Sequence, residues 1–93
     1  KPVVEILDQE DAEKMASLFK VFSDPTRLRL LSLLTHQEMC VGDIALSLDM
    51  EQSTISHQLR QLRQQRIVKM RKQGKHALYT LIDEHILNLF QQI

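Results

Sequence analysis

The chain has one cysteine, two glycines, two prolines and no tryptophan, and residues 52–82 contain no aspartate or glutamate at all. Each scarcity closes a possibility. Cys40 alone cannot form an internal disulfide, which removes any framework of bridges and fits a reducing compartment, the cytoplasm. Gly42 and Gly74 make no phosphate-cradling loop, and no HExxH helix appears, so an enzyme is not expected. No apolar run approaches the roughly 18 residues that a membrane span needs, and the opening KPVVEILDQEDAEK is too acidic for a secretory signal. No membrane partner is expected. What remains is 93 residues with 43% hydrophobic content, the composition of one small globular domain with a modest core.

Twelve acids balance twelve bases, yet the balance hides a segregation. Residues 1–51 carry ten acids against five bases, whereas residues 52–82 carry Arg60, Arg63, Arg66, Lys69, Arg71, Lys72 and Lys75 with no acid among them. A solvated helix face ordinarily mixes both signs. An acid-free stretch of this length instead points to a polyanionic partner.

Apolar spacing divides the chain into helices. Ala12, Met15, Leu18, Phe19 and Phe22 follow a helical period over residues 9–22. The SDPT sequence then stops that helix, and Asp24 as N-cap with Pro25 at the first helical position starts a second, DPTRLRLLSLLT, with Leu28, Leu31 and Leu34 expected inside. A short third helix spans Val41 to Leu48, with Val41, Ile44, Ala45 and Leu48 as its stripe. In STISHQLRQLRQQRIV, Ile55, Leu59 and Leu62 give one face to the core, leaving Ser53, Ser56, His57, Arg60 and Arg63 outside. Such side chains can bond phosphates or base edges. Ser53 also suits a helix cap, and His57 could pack beneath the helix.

After Arg66 the period changes from 3.6 to 2. IVKMRKQGKHALYTL alternates apolar and basic residues and reads as a hairpin with Gly74 in the turn, Ala77, Tyr79 and Leu81 returning on the apolar face, and Lys72, Lys75 and His76 at or beside the tip. A basic hairpin after a helix-turn-helix is a wing. DEHILNLFQQI places Ile82, Ile86, Leu89, Phe90 and Ile93 on one stripe of a final helix. The expected fold is therefore mainly α with a small β-hairpin, a single winged helix-turn-helix domain over residues 1–93 in the order α-α-α-α-β-β-α. Its apolar terminal helices suit burial against a second copy, a homodimer.

Taken together, DPTRLRLLSLL, CVGDIALSL, STISHQLRQLR and VKMRKQGKHALYTL resemble the ArsR/SmtB family of winged-helix repressors across residues 12–90. The most specific part is the Ser53, Ser56, His57 pattern followed by the arginine-glycine wing. The resemblance implies a transcriptional repressor that occupies twofold, double-stranded operator DNA as a homodimer. It is released by a metal ion or another chemical insult. On this resemblance Gln52, Ser53, Thr54, Ser56 and His57 stand at the leading end of the recognition helix, in the major groove, while Arg60, Arg71, Lys72 and Lys75 hold the backbone. A winged-helix domain that instead meets an acidic protein is the competing class, but it has no need of polar residues at those leading positions.

The resemblance also implies a regulatory metal. Asp83 and His85 match the start of the family's C-terminal-helix site, where oxygen and nitrogen donors suit zinc and the other subunit supplies two later ligands, positions that fall past Ile93. As plain structure, Asp83 is a good N-cap and His85 an exposed helical residue. Cys40 and Asp43 match the start of the family's other metal site. Residues 1–35 hold no cysteine or histidine to complete it, and Gly42 stands where soft-metal sensors carry a second cysteine. Cys40 therefore reads as a small buried residue, and a sulfur-redox sensor would want a second thiol.

Overall fold

A computed structural model describes residues 6–82 of the chain. Four helices, α1 (Gln9–Val21), α2 (Pro25–Leu34), α3 (Val41–Leu48) and α4 (Gln52–Gln64), are followed by an antiparallel hairpin of β1 (Val68–Gln73) and β2 (His76–Leu81). This is a winged helix-turn-helix. The final helix expected from DEHILNLFQQI lies outside the described residues.

Local chemistry sets the helix boundaries. Asp8 caps α1 by accepting from the Asp11 N–H at 2.8 Å, and Asp24 caps α2 by accepting from the Thr26 N–H at 2.9 Å, with Pro25 at N1 where its missing N–H costs nothing. Both helices of the helix-turn-helix end through a residue in the left-handed region, Asp49 (φ 55°) after α3 and Arg66 (φ 61°) after α4. In each, the following N–H reaches back over the turn: Met50 donates to the Ala45 carbonyl and Ile67 to the Leu62 carbonyl, both at 2.9 Å. These are Schellman closures built without glycine.

The core is apolar throughout. Leu30 and Leu31 of α2, Ile44 of α3, Ile55, Leu59 and Leu62 of α4, and Ile67 are fully enclosed, and no polar residue among those described is buried. Two inward faces differ from expectation. Leu28 is 37% exposed, and Leu30 takes its place beside Leu31 and Leu34. Three-residue steps on a 3.6-residue helix drift around the cylinder, so a stripe that includes Leu34 has already turned away from Leu28. On α1, Val21 is buried and Leu18 and Phe22 pack on the core, but Met15 and Phe19 stand 42% and 59% exposed. That helix divides its apolar residues between its own core and the outside.

The hairpin pairs Val68 with Leu81, Met70 with Tyr79 and Lys72 with Ala77, the expected alternation, and Gly74 adopts φ 62° in the turn. A third chain segment joins it. Met39 and Tyr79 exchange N–H to carbonyl bonds of 3.1 and 2.8 Å, so the stretch between α2 and α3 forms a one-residue edge to the sheet. The Ile82 N–H donates to the Ile67 carbonyl at 3.0 Å and closes the base of the hairpin on the end of α4.

Candidate nucleic-acid interface

The core stripe of α4 fixes what the helix shows to solvent. With Ile55, Leu59 and Leu62 inward, Ser53, His57 and Arg60 are exposed and Ser56 is half-buried. These positions, at i, i+3, i+4 and i+7, share one side. Gln52 and Thr54 are also exposed at the leading end. Glu51, not Ser53, occupies the N-cap, and no side chain accepts from the first-turn N–H groups of α4. The Ser53 hydroxyl is thus spent on no cap, and His57 does not pack beneath the helix. The first turn offers free N–H donors at the positive end of the helix dipole, a favourable setting for a phosphate.

The hairpin extends this surface. Lys72, Lys75 and His76 lie at its tip, all exposed, and Lys69 and Arg71 stand on the outer positions of β1. Arg71 is engaged in a way its sequence position did not suggest. Its Nε donates to both carboxylate oxygens of Glu38, at 3.1 and 2.9 Å, and its Nη2 donates to Glu38 Oε1 as well. The Arg71 hydrogen bonds hold the Glu38 carboxyl below its ordinary pKa, aided by the nearby charges of Arg71 and Lys69 and opposed by desolvation. One edge of the guanidinium, formed by Nε and Nη2, is occupied by Glu38, and Nη1 remains for a second acceptor. Glu38 precedes Met39, so the ion pair fastens the same edge that the Met39–Tyr79 bridge fastens. Among the described residues, no other base of residues 52–82 forms an ion pair.

One connected surface thus carries hydroxyls, an imidazole and amides on a helix flank, with free cations along the helix and hairpin. The model of bacterial regulatory proteins of the arsR family matches residues 24–70, from the α2 cap into the first strand of the wing. The chain belongs to the arsR family. An SmtB-homologue transcriptional repressor of Synechocystis is 44% identical over 89 residues, covering 96% of this chain and 67% of that protein. The AntR antimony-specific transcriptional repressor has a similar fold, with a TM-score of 0.85 at 30% identity over 99% of this chain and 86% of that one. A homodimeric winged helix-turn-helix DNA-binding domain from Mycobacterium bovis superposes with a TM-score of 0.82 at 27% identity, covering 97% and 85% of the two chains. This arsR-family chain is accordingly a transcriptional repressor of the ArsR/SmtB type, and no described helix is long and apolar enough to cross a membrane.

The metal positions expected from the resemblance fare differently. Asp83 and His85 lie outside the described residues. Cys40 is half-buried at the N-cap of α3 with no side-chain cap bond, and Asp43 is exposed in the first turn of that helix. No group of three or more His, Cys, Asp or Glu side chains able to hold a metal occurs among the described residues. Cys40 and Asp43 are thus two donors where a zinc site takes three or four. Sequence reasoning missed Glu38, because its partnership with Arg71 spans 33 residues and depends on the Met39–Tyr79 pairing, for which a single apolar residue gives no periodic signal.

Proposed function

We propose that this arsR-family repressor binds operator DNA as a homodimer. In this reading Gln52, Ser53, Thr54, Ser56 and His57 meet base edges, and Arg60, Arg71, Lys72 and Lys75 meet phosphates. One observation carries it: the polar flank of α4 and the basic hairpin face solvent and contain no acid of their own, the Glu38 carboxylate beside Arg71 coming from the segment between α2 and α3. Short polar side chains at the leading end of a helix suit the major groove, where hydroxyl, imidazole and amide groups discriminate base pairs. The surrounding cations supply affinity that does not depend on sequence. Dimerisation is supported by Ile6, Leu7, Met15 and Phe19, large apolar residues exposed at one end of the single chain. Two copies related by a twofold axis would present two recognition helices to a twofold operator.

Release by a divalent metal, zinc, is the regulatory half of the proposal. The support is the family resemblance at Asp83 and His85, whose oxygen and nitrogen donors suit that ion. Ligands shared across a dimer interface would favour one relative orientation of the subunits, and linkage then requires DNA to weaken zinc by the factor that zinc weakens DNA. The test is a titration of operator binding with zinc, using the parent protein and His85→Ala. Zinc should lower the parent's affinity and leave His85→Ala unresponsive. Equal release of both at the same zinc concentration would place the sensor elsewhere, and a thiol oxidant acting through Cys40 would then be the next inducer to try.

A further inference from the structure

α4 has a third side, used neither by the core nor by the polar leading flank. Gln58, Gln61 and Gln65 recur at i, i+3 and i+7, one stripe along the helix. Two elements meet it. Arg27, in the first turn of α2, donates from Nη2 to Gln61 Oε1, a link across 34 residues of sequence. Further along, Gln65 lines a cleft with Lys14, Ser17 and Leu18 of α1. The apolar side of α4 shares one core with α2, α3 and the hairpin, and the Arg27–Gln61 bond adds a directional polar tie between α2 and α4. Within this seam Arg27 Nε and Gln58 Oε1 are buried without a hydrogen-bond partner among the described residues. A fold retains such unpaired groups at a cost, and each asks for an explanation beyond packing.

Roll about the helix axis is what this tie can control. The apolar contacts of Ile55, Leu59 and Leu62 are non-directional and tolerate a small rotation. A helix is about 10–12 Å across, so a roll of roughly 10° moves a side-chain tip by about 1 Å. Hydrogen bonds to base edges span only a few tenths of an ångström in length. A directional bond from α2 to the back of α4 therefore decides whether Ser53, Ser56 and His57 arrive in register with bases.

We propose that Arg27 is a positioning residue of the recognition helix: by holding Gln61 it sets the roll of α4, and operator selectivity depends on it without its touching DNA. The inference rests on the DNA-binding reading above. Its test uses the full chain and two duplexes, one selected by the parent protein from a random pool and one unselected, each measured over a range of salt. Arg27→Ala and Gln61→Ala should each lower the ratio of the two affinities by about tenfold with the parent's salt slope retained. The double variant should be no worse than either single one, and Gln61→Glu, which keeps the acceptor, should discriminate like the parent. Gln61→Ala removes only a half-buried amide, so it carries the test even if Arg27→Ala folds poorly. Were Arg27 instead a phosphate contact, its loss would weaken both duplexes alike and flatten the salt slope by about 0.9. That result, or full selectivity in Gln61→Ala, would overturn the proposal. A parent protein that cannot tell the duplexes apart would sink the DNA-binding reading, and this inference with it.

Discussion

Glu38 shows how one side chain can govern an element it is not part of. Its carboxylate accepts from Nε and Nη2 on one edge of Arg71 and so holds β1 beside the segment that carries Met39. Because the folded-state pKa of Glu38 is lowered, the pair's contribution to stability is present above the ordinary carboxylate range and is lost as pH falls through the lowered folded value. A carboxyl-detected NMR titration should find Glu38 ionising below the usual range in the parent protein and returning toward it in Arg71→Ala. An unchanged titration in that variant would show that Arg71 does not hold the carboxylate in solution. Neither partner announces the other in sequence. Arg71 reads as one more cation of the wing, Glu38 as one acid in a connecting loop, and only folding across 33 residues gives them a shared role.

At the scale of elements, what was legible in sequence follows from how local the cause is. The limits of α3 and the capped start of α2 were readable because Asp24, Pro25 and the apolar period act within a few residues. The inner face of α4 was readable for the same reason. The exchange of Leu28 for Leu30 was not, since six of the ten residues of α2 are leucine or proline and the periodic signal is correspondingly blurred. Nor were the non-glycine helix ends. Arg66 holds a left-handed conformation because the Ile67 to Leu62 bond and the burial of Ile67 and Val68 fix the exit of the chain from α4. Such a residue stores roughly 1–2 kcal/mol, which glycine would relieve while giving back about 0.5–1 kcal/mol in unfolded-chain entropy. Arg66→Gly should therefore raise unfolding free energy by about 0.5–1 kcal/mol, read from urea denaturation at matched protein concentration. A loss of stability would mean that the Arg66 side chain makes a contribution its exposed position does not suggest.

For the whole molecule, the division of apolar residues on α1 is the informative feature. A single chain satisfies Val21, Leu18 and Phe22 and leaves Met15 and Phe19, like Ile6 and Leu7 ahead of the helix, in water. Phe19→Asp and Met15→Asp should convert a dimer into a monomer at micromolar concentration, as followed by sedimentation velocity, with little disturbance of the core. A dimer that survives both would place the interface away from α1. Charge segregation acts at this scale too: a neutral chain places seven of its twelve bases, and no acid, in residues 52–82, and the total charge alone would have argued against nucleic acid.

The central claim is that α4 reads sequence while the hairpin supplies salt-sensitive grip, and one comparison tests both parts. Affinities of the parent, Ser56→Ala, His57→Ala and Lys72→Ala for a selected and an unselected duplex are measured from low to moderate salt. Ser56→Ala and His57→Ala should each lose about 1–3 kcal/mol of discrimination, whereas Lys72→Ala should weaken both duplexes equally and flatten the salt slope by about 0.9. Undiminished discrimination in the two α4 variants, or a change in specificity alone on losing Lys72, would contradict the account.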